Sequence, residues 1–180
     1  NFYKNWMKIV QKDFVSPIAD SWRIFYRYEL KDEGMDIEGV KCSRIDFVPR
    51  SPQDLAFTGT MWITDSTFAL KRIDVTVNKE ANLNFIEKIK IQQNLLPIKD
   101  ENGQIIAWLP AKTRVLLDIG EVKDNWAGML AKFYTSNKDF KVNQIKPLAF
   151  FKEPMNVAED FRESSDEYWD EHRHDSLTLS

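Results

Sequence analysis

A chain of 180 residues with 43% apolar residues, six Trp and twelve Phe can bury one substantial core, which excludes a disordered chain. Its net charge of -3 is unevenly placed: residues 152–180 carry nine acidic against three basic side chains, a net -6, and the preceding 151 residues carry +3. No dense basic stripe runs through the sequence, which argues against nucleic acid as a partner.

Taken in chain order, Phe2, Trp6, Ile9, Val10 and Phe14 recur at roughly helical spacing before Ser16-Pro17, a turn signal that also starts helices. A short helix is predicted over 17–21. From Trp22 the period drops to two, with Trp22, Ile24, Tyr26, Tyr28 and Leu30 on one side. Lys31-Asp32-Glu33-Gly34 reads as a turn, and residues 39–48 alternate with a change of phase between Cys42 and Ile45 that suggests a bulge. Pro49-Arg50-Ser51-Pro52 closes that strand.

Residues 54–64 and 67–78 form the clearest hairpin, FTGTMWITDSTFALKRIDVTV, turning at Asp65-Ser66. Phe57, Met61 and Ile63 should share one face and Thr58, Thr60 and Trp62 the other. Residues 84–94 alternate again, and a turn at Lys99–Gly103 leads to 105–109. Pro110 breaks that run before 113–119 resumes it. Further strands are expected over 126–135 and 140–145. The hairpin-length connections predict an antiparallel meander of eight or nine strands. The fold class is therefore mainly β (a β-rich α+β arrangement), with one β domain over 1–151 and an acidic tail over 152–180. In the tail, Ser164 and Glu167 have capping-box spacing for a short helix over 165–173 presenting Tyr168, Trp169 and His172. Trp169 is expected to pack on the positively charged body or to dock on a region beyond the fragment, with Arg173 one turn on for a cation–π contact.

Chemistry is sparse. His172 and His174 are the two histidines, and with one cysteine they cannot complete a zinc set, so no metal and no cofactor is expected. Ser16, His172 and Asp65 are formally a triad, but no nucleophile elbow surrounds any serine. Cys42 on a strand reads as a small core hydrophobe, and no disulfide can form within the chain. A pair such as Asp74 and Glu87 could meet across strands as glycosidase acids do. No catalytic residue is assigned. Phe57, Met61, Trp62 and Trp108 are the candidate ligand-binding side chains, aromatics and a Met that could take an apolar or lipid-like ligand. There is no signal peptide and no apolar run near twenty residues, and the start at Asn1 suggests a piece of a longer protein or a processed product.

Four stretches carry a resemblance: NFYKNWMKIVQKDFVSPIADSWRIFYRYEL, CSRIDFVPRSPQDLAFTGTMWITDSTFALKRID, ANLNFIEKIKIQQ and DEYWDEHRHDSLTLS. They resemble a domain-of-unknown-function family of Bacteroidota outer-membrane proteins, most specifically at Val15-Ser16-Pro17, at Phe57-x-Gly59-x-x-Trp62-Ile63 and at Tyr168-Trp169-x-x-x-Arg173. In that family the domain follows a carboxypeptidase-regulatory-like domain and precedes a membrane-associated region. The resemblance therefore implies a periplasmic, outer-membrane-associated address, with neighbouring domains and the membrane as partners through regions outside the fragment. It brings no catalytic residues. The hairpin from Gly59 to Asp74 is similar to the repeating unit of lipoprotein-carrier folds, which implies a strongly curved, half-barrel-like sheet with short terminal helices and a hollow for an acyl chain. The expected function is a non-catalytic module of the cell envelope that binds an apolar ligand or an adjoining polypeptide. The alternatives are a structural spacer and, less favoured, a hydrolase of envelope glycan or lipid.

Overall fold

The computed structural model describes residues 2–78, 81, 83, 86–120, 128–151, 165, 167 and 168. They fall in two compact units, 1–137 and 138–180, and the boundary expected after residue 151 lies inside the second.

The chain opens with strands β1 (Trp6–Ile9) and β2 (Lys12–Val15), an antiparallel hairpin with Trp6 opposite Val15. Its two-residue turn, Val10-Gln11, holds both φ angles positive at 46° and 62°, as a type I′ turn requires. No Gly or Asn announces that turn. The helical spacing of the apolar residues is met instead by tertiary burial: Phe14 and Val15 sink into the core with Phe2.

The helix expected over 17–21 is replaced by successive turns. The Ala19 amide donates to Ser16 O and the Trp22 amide to Ala19 O, and one helical turn, α1 (Trp22–Phe25), follows. Ser16 favours this because its hydroxyl donates to Phe2 O at 2.6 Å in a buried position while its oxygen accepts the Ile18 amide at 3.3 Å, a local turn bond that competes with helix. The strand expected from Trp22 thus begins at Tyr26.

Seven strands then form one antiparallel sheet in strict chain order: β3 (Tyr26–Ile37), β4 (Val40–Pro49), β5 (Thr58–Thr64), β6 (Leu70–Asn78), β7 (Ile86–Lys99), β8 (Ile105–Ile119) and β9 (Met129–Ser136). The turn expected at Lys31–Gly34 is a bulged stretch of β3, with irregularities either side of Asp32 and Gly34 at φ 65°. The real turn comes at Glu38-Gly39, both at positive φ, where Asp36 Oδ1 accepts the Gly39 amide at 2.8 Å. Pro110 does not end β8: it pairs with Leu95 beside an irregularity where Pro is tolerated, and the Asn137 side chain donates to its carbonyl. Residues 140–145 are irregular rather than a strand, since Asp139 and Asn143 adopt left-handed φ angles of 55° and 61° that interrupt an extended run.

The half-barrel expectation does not describe this sheet, which among the described residues is open, with β3 and β9 as its edges, and is not strongly curled. Gly59 has a local role. It pairs with Val75, and a Cβ there would sit on the Asp74 carbonyl oxygen and 2.9 Å from Val75 Cα. The residue allows a close backbone approach between β5 and β6 rather than bending the whole sheet.

Register gives the sheet two unlike faces. Phe47, Gly59, Val75, Ile91 and Val115 line up across β4–β8 as one apolar row, with Ile45, Met61 and Ile73 beside it. Phe2 and Phe14 cover this face by packing on Phe57, with ring centroids 5.7 and 5.4 Å apart. The opposite face carries Arg44, Thr60, Trp62, Arg72, Asp74 and Gln92.

In the second unit a 3₁₀ turn spans Leu148–Phe151. Glu167 and Tyr168 are helical, and the Tyr168 amide donates to Ser165 Oγ at 3.2 Å, so the cap described here comes from Ser165. Ser164, Trp169, His172, Arg173 and His174, with the rest of the helix expected over 165–173, lie outside the described residues.

Candidate functional site: an apolar groove under the N-terminal segment

Two tyrosines fasten the N-terminal segment to the sheet. The Tyr26 hydroxyl donates to Val15 O at 2.7 Å and accepts the Phe57 amide at 3.0 Å, both in the interior. The Tyr28 hydroxyl donates to Pro17 O. Being two apart on one strand, the two rings share a face, and both lie against Phe47 at 5.7 and 6.1 Å. A side-chain clasp adds to this: Asn5 Nδ2 donates to Asp20 Oδ2 at 2.9 Å, and Asn5 Oδ1 accepts the Asp20 amide at 3.1 Å.

The segment held this way does not lie flush on β3–β5. Between them is a groove of about 650 Å³, walled by Pro17, Ile18 and Trp22 on one side and by Tyr28, Ile45 and Met61 on the sheet. Tyr26 forms part of its lining, and two exposed arginines, Arg27 and Arg50, stand beside it. Arg50 is fixed in place by its Nε, which donates to Arg23 O at 2.9 Å. The arrangement is an apolar trough with cationic side chains next to it.

The four residues expected to bind ligand do not come together. Met61, 6% exposed, lies in the groove. Phe57 is fully buried between Phe2 and Phe14, where no ligand reaches it. Trp62 is on the opposite face, as alternation requires, but it is half-buried, with the Arg72 guanidinium 4.9 Å above its ring, rather than an open platform. Trp108 packs against the edge of the core from β8. The indole nitrogens of Trp62 and Trp108 are buried and without a hydrogen-bond partner among the described residues.

A family model described as "Family of unknown function (DUF5686)" matches residues 1–138. The chain belongs to the DUF5686 family. No curated protein and no solved structure matches it.

The matched region of this DUF5686 chain contains the whole groove and the whole main sheet. Burial raises the Tyr26 phenol well above the ordinary phenolic range, outweighing the opposing effect of the Phe57 amide, and it raises Tyr28 likewise. Both hydroxyls therefore stay protonated as donors. Elsewhere in the domain Cys42 is buried, and burial pushes its thiol up, so it is a poor nucleophile. Register sets Asp74 opposite Gln92, whereas Glu87 approaches Gly120, so the two carboxylates considered as a glycosidase pair do not converge. Asp74 is engaged by Arg72 at 2.7 Å and by Gln92 at 3.1 Å. Ser16 is committed to Phe2 O and Asp65 accepts from Ser43 Oγ, while His172 lies outside the described residues. Among the described residues no helix is long and apolar enough to cross a membrane, which says nothing about strands of a β-barrel.

The walls of the groove, Pro17, Ile18 and Trp22, were not expected from the sequence. The available signal was the Tyr26, Tyr28 pair two residues apart, which marks a strand face with two hydroxyls needing partners.

Proposed function

We propose that this chain is a non-catalytic, periplasmic module of a cell-envelope protein, and that its groove holds the apolar part of an amphiphile. The idea parallels lipoprotein-carrier folds, in which an acyl chain lies against an antiparallel sheet. The observation that carries it is the 650 Å³ groove lined by Pro17, Ile18, Trp22, Tyr28, Ile45 and Met61, within the size range of small-molecule sites. Its arginine neighbours, Arg27 and Arg50, suit an acidic head group beside a buried tail. The outer-membrane address rests on the family resemblance at Val15-Ser16-Pro17 and Phe57-x-Gly59-x-x-Trp62-Ile63.

Purified protein titrated with a fluorescent long-chain fatty acid tests the reading. Saturable binding is expected, at least tenfold weaker in Trp22→Glu, whose wall position is partly exposed, with the fold retained by circular dichroism. No saturable binding of fatty acid, lysophospholipid or phospholipid would favour the structural spacer. Turnover of any of them would favour the hydrolase.

A further inference from the structure

The face opposite the groove holds a second site of different chemistry. Strand register aligns two polar rows across it: Arg44, Trp62, Arg72, Asn94 and Lys112, and alongside them Asp46, Thr60, Asp74, Gln92, Arg114 and Tyr134. Toward β5 and β6 these groups satisfy one another. Thr60 Oγ1 donates to Asp46 Oδ1 at 2.7 Å, and Arg72 makes a forked contact with Asp74 through Nε at 3.2 Å and a terminal nitrogen at 2.7 Å.

Toward β7 and β8 the pattern changes. Asn94 and Arg114 have neither a side-chain hydrogen bond nor a carboxylate partner among the described residues. The Arg114 guanidinium carbon lies 4.8 Å from the Tyr134 ring centroid, a cation–π contact that leaves its N–H groups able to take an acceptor. Asn94 and Arg114, with Glu38, Arg72, Gln92 and Lys112, enclose a cavity of about 300 Å³. Its one lining carboxylate is already matched: Lys71, 2% exposed, donates to Glu38 Oε2 at 2.7 Å, and that hydrogen bond holds the Glu38 carboxyl below its usual range. Arg72 and Gln92 are engaged by Asp74, so the lining groups that keep their side chains for a ligand are Arg114 and Asn94, in a hollow whose lining cations, Arg72, Lys112 and Arg114, outnumber its carboxylate.

We propose that this cavity binds a phosphate monoester carried on a small polyhydroxylated molecule, a phosphosugar. Arg114 presents a planar fork that matches two phosphate oxygens, with Lys112 adding a point charge. The Asn94 carboxamide can both donate and accept, which suits sugar hydroxyls. The site lies on the other side of the sheet from the groove and does not depend on it.

Calorimetric titration of the full chain with glucose 1-phosphate, glucose and inorganic phosphate tests this, alongside flotation with phosphatidylcholine vesicles with and without phosphatidic acid. Glucose 1-phosphate should bind saturably and more tightly than inorganic phosphate, with no binding of glucose. Flotation with phosphatidic acid and no binding of glucose 1-phosphate would place the same phosphate group on a lipid head group and overturn the phosphosugar assignment. In either case Arg114→Gln should weaken binding at least tenfold, and the isosteric Asn94→Asp should do the same if Arg114→Gln fails to fold. Trp22→Glu, in the groove, should leave it unchanged. Absence of both kinds of binding, or an affinity that Arg114→Gln and Asn94→Asp do not alter, overturns the proposal.

Discussion

Replacing Tyr26 by Phe removes one oxygen atom and keeps the ring in its packing against Phe47, 5.7 Å between centroids. That oxygen serves two buried backbone groups at once, the Val15 carbonyl at 2.7 Å and the Phe57 amide at 3.0 Å. Val15 and Phe57 are both fully buried, so water does not replace the lost partner without opening the interior. A buried polar group left unpaired costs about 1–3 kcal/mol, so orphaning both in Tyr26→Phe should lose about 2–6 kcal/mol. At about 2–4 °C per kcal/mol for a chain of this size, that is a fall in melting temperature of roughly 4–24 °C. Urea unfolding followed by tryptophan fluorescence gives the free energy, and the midpoint should move at constant slope, since the surface exposed on unfolding is unchanged. Tyr28→Phe is the internal control. Its hydroxyl serves the Pro17 carbonyl alone, in a partly buried position, and should cost about 1 kcal/mol. A loss under about 0.5 kcal/mol for Tyr26→Phe, or a larger loss for Tyr28→Phe, would refute the view that the Tyr26 hydroxyl holds the N-terminal segment to the sheet.

The same phenols set an alkaline limit. Their folded-state pKa values are raised from the ordinary 10.0, so the stability they contribute is complete below about pH 10 and is lost as pH climbs beyond it; a stability profile flat through that range, or phenolate absorbance from Tyr26 before unfolding, would contradict this. Gly59→Ala should cost about 3 kcal/mol or more, or yield insoluble protein, because its Cβ meets backbone of Asp74 and Val75 that cannot rotate away; a loss below about 1 kcal/mol in thermal melts would show that the strands separate easily. Val10→Asn should raise stability by about 0.5–1 kcal/mol, since a β-branched residue at φ 46° is strained and Val10 is largely exposed; an unchanged or lower melting temperature would place the strain elsewhere.

The main sheet was legible because its strands carry period-two alternation and its turns carry ordinary turn residues. Phe57 and Met61 went inward and Trp62 outward as the pattern requires. Three elements were hidden by signals with two meanings. Lys31–Gly34 has turn composition but forms a bulge, because Gly34 at positive φ serves either. Pro110 breaks most strands but survives beside an irregularity opposite Leu95. Val10-Gln11 makes a type I′ turn without its usual residues, so the first hairpin resembled a helix. The groove was hidden for a different reason. Its outer wall, Pro17, Ile18 and Trp22, belongs to irregular chain whose place is set by hydrogen bonds from Tyr26 and Tyr28, and no local pattern encodes which carbonyls those hydroxyls will find. The polar cavity depends likewise on register across β6, β7 and β8, which decides that Arg72, Asn94 and Lys112 share a row.

Photo-crosslinking with a fatty acid that carries a diazirine on its chain, followed by peptide mapping, tests the groove most directly. Adducts should concentrate on the peptides containing Ile18, Ile45 and Met61, and excess unlabelled fatty acid should suppress them. Adducts confined to the exposed apolar side chains of β9, such as Met129, Leu130 and Phe133, or scattered labelling that unlabelled fatty acid does not suppress, would contradict the assignment of the groove as the ligand site.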